Sequence, residues 1–467
     1  MTGIVGRPDA PQGFWTLARV AQALGCGPSD QRAVRAICTD TRHVQPGDLF
    51  VALKGDNFDA HEFLHQAVAK GAVAVVVRDA QYGAALGVPV YVVTDTVQAL
   101  GLLGRYRRRV WARPVIAVGG SNGKTSTKEL IRAALSARLA VHATQGNLNN
   151  QIGVPLTLLA LPDDADIAVI EVGTNTPGEI ALLRLIIEPD IAVVTTVQEE
   201  HLEGFGDLAG VMREEAALFD GVPMAVVPAS EATLVTEARR RAGRTITAGV
   251  GDGDLAAAGF GLSADGRGWI EVDSTRITVP LRGEHNVRNA MLALAVAREC
   301  GIMMADAGAA IGAIDVTALP QMRSAVTPLG AALMINDAYN SNPGSARAAL
   351  ALLVAVGAGR QRVAVLGTMR ELGAQGERAH REIAQAALDS GAELIAGIGD
   401  FAVVLSALGK AQDCDARVIA ASDVEELWPL LAPKLAPTAA ILLKASRGVR
   451  LERLVPLLSA WADGQGH

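Results

Sequence analysis

The sequence predicts an α/β protein of three domains built on parallel sheets, and three observations carry that expectation. From Pro114 onward, short apolar β-rich runs alternate with helical stretches, the signature of βαβ units whose sheet is covered on both faces. After a Gly- and Asp-rich interruption the alternation resumes, so the last block reads as a second, smaller doubly wound domain. The chain has 467 residues, more than one domain at roughly 100–200 residues each.

The first block, 1–110, mixes short strands over 49–53, 73–77 and 90–93 with a helix over 60–70. It closes on Arg105-Tyr106-Arg107-Arg108-Arg109, a basic run that reads as a solvated helix end. The central block, 111–314, carries apolar strands over 115–118, 167–170 and 191–194. Its texture changes over 249–280, where 269–272 and 276–279 suggest an antiparallel hairpin, and a helix follows over 287–300. The third block, 315–467, alternates helices with strands over 333–335, 363–366, 394–398 and 440–443.

Composition narrows the function classes. Half of the residues are hydrophobic and only 4% are aromatic, so the core is aliphatic and disorder is excluded as the main theme. The 42 basic residues against 49 acidic ones give −7, the wrong sign for a general nucleic-acid binder, and few aromatics are left to stack bases. Anionic substrates would need local cations. The four cysteines, Cys26, Cys38, Cys300 and Cys414, are far apart with no CxxC, which predicts free thiols in a reducing compartment. No signal peptide is evident over 1–11, and the longest uncharged apolar run, 348–359, is too short to span a bilayer. A cytoplasmic protein with no membrane span follows.

The strongest local signal is Val115-Ile116-Ala117-Val118-Gly119-Gly120-Ser121-Asn122-Gly123-Lys124-Thr125-Ser126, an apolar strand running through a Gly-rich loop into a helix. Glycines let backbone N–H groups wrap phosphate oxygens, and the helix N-terminus adds its positive end. Lys124 can reach the β- and γ-phosphates, and the Thr125 hydroxyl can ligate Mg²⁺. Val118 stands where the strict G-x-x-x-x-G-K-T pattern has its first glycine, so the loop is P-loop-like rather than a literal match. A nucleotide site also needs an acid for the metal. Glu171 ends the apolar run Ile167-Ala168-Val169-Ile170, and strand C-termini face the ligand crevice in such sheets. It is therefore a candidate Mg²⁺ ligand. His201 follows another strand, and is either a second metal ligand or a loop histidine with a satisfied hydrogen bond.

Beyond these sites, motifs spread along the chain resemble the Mur ligases, ATP-dependent amide-forming enzymes of peptidoglycan synthesis. The resemblance is carried by Thr39-Asp40-Thr41-Arg42, Leu49-Phe50-Val51-Ala52-Leu53-Lys54-Gly55, Phe58-Asp59-Ala60-His61, Gly123-Lys124-Thr125-Ser126 and Gly146-Asn147-Leu148-Asn149-Asn150. It continues through His201-Leu202-Glu203-Gly204-Phe205-Gly206, Gly283-Glu284-His285-Asn286-Val287-Arg288-Asn289-Ala290 and Lys444-Ala445-Ser446-Arg447. Two further strings, Tyr339-Asn340-Ser341-Asn342-Pro343 and Met369-Arg370-Glu371-Leu372-Gly373, resemble the member that adds D-Ala-D-Ala to UDP-MurNAc-tripeptide.

The resemblance implies a small N-terminal UDP-binding domain, a central P-loop ATPase domain and a C-terminal Rossmann-like domain. It implies that Thr41, Arg42 and Lys54 hold the UDP part of the substrate. Gly120, Ser121, Asn122, Gly123, Lys124, Thr125 and Ser126 would cradle ATP. Glu171 and His201 would hold magnesium with Thr125. Asn286 and Asn289 would approach adenine, and Asp337 the ribose. Arg323 would reach the γ-phosphate, joining Lys124, Glu171 and His201 as the catalytic set. Asn147, Asn340, Lys444 and Arg447 would lie near the peptide or the incoming amine. The implied chemistry is activation of a carboxylate as an acyl phosphate, then attack by the amine. Such chemistry brings anions together, so cations must neutralise the developing charge. The protein is expected to act as a monomer.

The chain departs from the family pattern in four places. Gly119 stands where threonine is usual, and Asn336 and Thr368 where Asp is frequent. Glu215 stands where relatives usually carry a lysine that takes up CO₂. It either supplies a carboxylate beside the metal or belongs, with Glu214, to a solvated helix face. Three other readings remain: another ligase of the same family, a folylpolyglutamate synthetase relative, and a nucleotide-switched binding protein. The Asp-Asn-Pro-Arg string expected of the diaminopimelate-adding ligase and the Asn-Lys dipeptide of guanine switches are both absent.

Overall fold

The computed structural model describes residues 13–55, 58–83, 85–318 and 325–464. Three main sheets organise it, each within one of the expected blocks. The first holds β1 (Ile37–Cys38), β2 (Leu49–Val51), β3 (Ala74–Val77) and β4 (Val90–Val92), all parallel and in that order. The stretch over 60–70 is a 3₁₀ turn, Ala60–Phe63, running into a short α-helix, Leu64–Ala69, rather than one helix.

The central sheet contains β5 (Val115–Gly119), β6 (Val141–Ala143), β7 (Ile167–Glu171), β8 (Ile191–Val194), β9 (Met224–Pro228), β10 (Arg244–Val250) and β11 (Leu255–Ala257). Their spatial order is β6-β7-β5-β8-β9-β10-β11, all parallel. Every residue of β5, β7 and β8 is buried, as strands covered on both faces must be. The order reverses between β5 and β8, and such a switch point opens a crevice at the strand C-termini.

The interruption over 249–280 ends in a three-stranded antiparallel sheet, β12 (Gly259–Leu262), β13 (Arg267–Val272) and β14 (Thr275–Arg282). Asp273 and Ser274 join the last two strands, both at positive φ, as a tight two-residue hairpin requires. The third sheet has order β15-β16-β20-β17-β18-β19, from β15 (Ala325–Leu329), β16 (Ala332–Asp337), β17 (Arg362–Gly367), β18 (Leu394–Ile398), β19 (Val418–Ala421) and β20 (Ala440–Lys444). Only the edge strand β15 is antiparallel.

Seven helices position the site. They are α1 (Thr96–Trp111), α2 (Lys124–Ser136), α3 (Gly153–Leu159), α4 (Glu179–Ile187), α5 (Leu208–Ala216), α6 (Glu284–Glu299) and α7 (Pro343–Val356). Asp95 caps α1 by accepting from the N–H groups of Val97 and Gln98 at 2.7 and 3.0 Å. Asn342 caps α7 in a reciprocal box with Ser345, with Pro343 in the first turn. α2 and α6 pack against each other on one face of the central sheet.

The basic run on α1 is not a solvated helix end. Arg105 and Arg109 both grip the Glu188 carboxylate. Arg107 is buried, reaching the Leu161 carbonyl at 2.6 Å. Arg108, also buried, donates to the Ile187 and Glu188 carbonyls and to Asp190, each at 2.9 Å. Sequence alone could not reveal this, because the acids that collect the arginines lie about 55–80 residues downstream on loops of another sheet.

Cys26, Cys300 and Cys414 are free thiols, Cys38 is buried, and burial pushes Cys300 up to about 11. No helix among the described residues is long and apolar enough to cross a membrane.

Candidate active site

A cavity of about 760 Å³ opens at the switch point. Its floor is the loop between β5 and α2, and two glycines shape that loop. Gly120 has φ +113°, and a Cβ there would lie 2.7 Å from the Thr195 backbone nitrogen. Gly123 has φ +84° and sits against the Asn289 amide, which a Cβ would meet at 2.9 Å. Both positions exclude a side chain. The loop's N–H groups and the start of α2 form an anion-binding concavity. Lys124 bends back over it, donating to the carbonyls of Gly120 and Ser121. Ser121, Asn122, Gly123, Lys124 and Ser126 line the cavity, while Thr125 is buried beneath it.

Three acids stand around the loop. Glu171, at the end of β7, is 1% exposed, and its Oε1 accepts from Asn149 at 2.9 Å. Glu215 reaches the loop from α5, is fully buried, and accepts the Gly120 N–H at 2.7 Å. Burial pushes its carboxyl up, opposed by the Lys124 ammonium and the Gly120 N–H. The solvated-face alternative for Glu214 and Glu215 is therefore wrong: Glu214 is buried too, taking the N–H groups of Gly178 and Ile180. The glycine at 119 also gains a reason, since a Cβ there would meet Glu215 Oε2 at 3.0 Å. The third acid, Glu200, is one that sequence reasoning missed. Burial pushes it up to about 8, opposed by Lys124 and reinforced by Glu215.

The residues fit a hard cation. Thr125 Oγ1, Glu171 Oε2 and Glu215 Oε1 are buried without a hydrogen-bond partner. Mg²⁺ takes oxygen donors and is usually held by one or two carboxylates together with phosphates and water. The expected set is Thr125, Glu171, His201 and Glu215. Among the described residues, no three His, Cys, Asp or Glu side chains are gathered as a closed metal cage. His201 Nδ1 is engaged with Glu371 across the domain boundary. An open site suits a metal whose remaining ligands arrive with the nucleotide.

α6 supplies the wall beside the loop. Asn286 and Asn289 are buried and hydrogen-bonded to each other at 3.2 Å, and Asn286 also donates to the Arg282 carbonyl at 2.8 Å. Opposite stands the third domain. Asp337 and Lys444, at the ends of the neighbouring strands β16 and β20, pair at 2.7 Å, and Lys444 donates to the Asn340 carbonyl at 2.7 Å. Burial pushes the His285 pKa down, reinforced by Lys444 and opposed by Asp337. Arg447 lies over the Tyr339 ring at 5.6 Å. Asn122 and Asn342 exchange amide hydrogen bonds at 3.0 and 3.1 Å, joining the phosphate loop to the cap of α7.

The structure thus brings Asn147, Asn340, Lys444 and Arg447 to the cavity that holds the loop, Glu171 and His201. Thr41, Arg42 and Lys54 do not line it. They lie in the first domain, where Arg42 pairs with Asp40, Lys54 with Asp59, and the Thr41 carbonyl accepts from Lys70 at 2.8 Å. Arg323 falls outside the described residues. Of the other two departures, Thr368 holds a turn in place, its hydroxyl accepting the Asp400 N–H at 3.0 Å. The Asn336 side chain accepts the Ala338 N–H at 3.4 Å. Glu200, Gln198, His285, Asn342 and Glu371 are among the site residues to which sequence reasoning gave no role. Their only signal was membership of the family-like strings, for His285, Asn342 and Glu371.

Comparison with known proteins covers nearly the whole chain. The family described as Mur ligase middle domain matches residues 118–297, Mur ligase, glutamate ligase domain 322–447, and Mur ligase family, catalytic domain 33–108. UDP-N-acetylmuramoyl-tripeptide–D-alanyl-D-alanine ligase of Escherichia coli (strain K12) is 35% identical over 432 residues, 91% of this chain and 93% of the relative. The crystal structure of MurF from Acinetobacter baumannii superposes with TM-score 0.87 at 30% identity, covering 96% of this chain and 100% of that one. MurF ligase from Thermotoga maritima in complex with ADP gives 0.80 at 25% identity, covering 92% and 98%.

Proposed function

The chain belongs to the Mur ligase family, and from that premise we propose that it joins D-Ala-D-Ala to UDP-MurNAc-tripeptide at the expense of ATP, in peptidoglycan synthesis. The observation that carries this is the cavity itself: a phosphate loop with orphaned buried oxygens on one wall faces Lys444 and Arg447 of another domain. A nucleotide and two further reactants can meet only where such walls converge. The names of the relatives support the choice of reactants.

The division into 1–110, 111–314 and 315–467 is supported by the sheets, each lying inside one segment. In this reading the first domain takes the UDP end through Thr41, Arg42 and Lys54. The loop holds the ATP phosphates, and Lys124 exchanges its carbonyl contacts for phosphate oxygens. The tripeptide carboxylate attacks the terminal phosphorus, giving an acyl phosphate and ADP. The dipeptide amine then adds to the acyl carbon, and phosphate leaves. Lys124, with Lys444 and Arg447 across the cavity, offsets the anionic charge that both steps concentrate. Thr125, Glu171 and Glu215 would hold Mg²⁺, which when bound neutralises phosphate charge; His201 would complete that set through Nε2. Alignment of the reactants by a closed cavity lowers the barrier further.

The test is phosphate release by purified protein given ATP, Mg²⁺, UDP-MurNAc-tripeptide and D-Ala-D-Ala. Release is expected to need both the donor and the dipeptide, and Lys124→Met to abolish it. Release indifferent to D-Ala-D-Ala would refute the assignment. Unchanged Mg²⁺ dependence in Glu215→Ala would remove Glu215 from the metal set.

A further inference from the structure

Glu371 plays no part in the reaction as described. It follows β17 on the third domain and lines the cavity. Its Oε2 meets Nδ1 of His201, 170 residues away in the chain. Both residues hold left-handed backbone conformations, with φ 48° at His201 and 64° at Glu371. Such a conformation is costly for any residue but glycine and persists where its surroundings fix it. Here the surroundings are specific. The Glu203 N–H donates to the Glu371 carbonyl at 3.3 Å. Gly373, at φ +51°, packs on Glu203. Arg378 reaches Glu199 at 2.6 Å. The two backbones are held so that the side chains meet.

An imidazole that gives its Nδ1–H to a carboxylate keeps its lone pair on Nε2 and becomes a better ligand through that atom. Among the described residues Nε2 of His201 has no hydrogen-bond partner, and His201 lines the cavity beside the phosphate loop. The carboxylate comes from one domain and the imidazole from another, so the pair exists only when the two are together.

We propose that Glu371 is a positioning residue that fixes the His201 ring with Nε2 presented to the cation site, so that closure of the third domain and cation binding are linked. Linkage makes the effect reciprocal: a cation at Nε2 favours closure as much as closure favours the cation. The inference deepens the proposed function, resting on the cavity taking a nucleotide with its cation, but not on which amine is the acceptor.

The test uses the full chain bound to ADP, with Mn²⁺ as the probe and its affinity read by electron paramagnetic resonance. Glu371→Ala is expected to weaken Mn²⁺ binding about tenfold, in the range seen when partners of metal-bound histidines are removed. Glu371→Gln is expected to lose less, because its amide oxygen still accepts the Nδ1–H. Arg378→Ala, which loosens the same interface without touching the ring, is expected to change the affinity less than about twofold. The ¹⁵N resonances of His201 are expected to place the proton on Nδ1 in the parent and shift it toward Nε2 in Glu371→Ala. Unchanged Mn²⁺ affinity in both Glu371 variants, or an equal loss in Arg378→Ala, would overturn the proposal. ADP binding in EDTA separates the two readings: failure of the parent to bind ADP at all defeats the nucleotide assignment, whereas bound ADP with unmoved Mn²⁺ affinity defeats only Glu371.

Discussion

The central domain meets its two neighbours in opposite ways. Toward the first domain the contact is apolar, close and charge-locked. α1 lies along α3 and α4, with Gly104 against the Pro155 backbone and Gly101 against Ile186, where a Cβ would come within 2.9 Å of each. Leu156 and Leu159 of α3 belong to the same core as Leu100 and Leu103 of α1. Arg105, Arg107, Arg108 and Arg109 fasten the seam. Toward the third domain the contact is thinner. A short helix, Leu202–Phe205, touches the turn Gly373–Gln375 and shares an apolar cluster with Met369 and Leu372, Gly266 packs on Leu352 and Val356 of α7, and polar pairs join Asn122 to Asn342, Glu199 to Arg378 and His201 to Glu371. Apolar area is costly to separate, whereas polar contacts exchange readily for water. The seam with the first domain, where the arginines add to the apolar contact, is expected to be the harder of the two to separate.

Three measurements press on that contrast. The largest effect is expected at the locked seam. Arg108→Ala takes a donor from Asp190, which keeps the Val115 N–H, and from two carbonyls, and should cost about 2 kcal/mol in denaturant unfolding. A loss below about 1 kcal/mol would mean the arginines do not fasten the seam.

The second effect belongs to the open boundary. Glu200 is a buried carboxyl pushed up to about 8, against about 4.5 for the ordinary side chain. A raised folded pKa contributes stability that is fully present below about 4.5 and is lost as pH climbs toward 8. The ligand-free protein should therefore melt at a lower temperature at about pH 8 than at about pH 5.5, and Glu200→Gln should flatten that slope. An unaltered slope in the variant would place the titration elsewhere.

The smallest stability effect is expected at Asn342→Ala, which removes a helix cap worth about 1 kcal/mol. Its effect on kcat/KM for ATP should be larger than its effect on stability, about tenfold, because Asn122 loses its partner across the cavity. Equal behaviour of the two seams in these experiments would erase the distinction between them.

The same contrast explains how much of the molecule is legible in the chain. The phosphate loop is legible because its function needs consecutive residues: a strand, glycines at fixed places, then Lys124 and Thr125. Glu171 is legible because strand ends face the crevice. The strands over 115–118, 167–170 and 191–194 lie within a residue of their observed limits, their apolar runs being continuous. The arginine run misleads because its meaning lies in Glu188 and Asp190. Glu371 and Asn342 show no role of their own because their partners are 170 and 220 residues away. Local chemistry writes itself in order along the sequence; chemistry shared across a boundary does not.

The thiol inventory offers an optical route to that boundary. Cys38 is buried and Cys300 is hard to ionise, which leaves Cys26 and Cys414, both partly exposed, as the more accessible thiols. They sit on the first and third domains, on either side of the central one in the chain. A donor and an acceptor dye on this native pair would form a ruler for single-molecule fluorescence without introducing a cysteine.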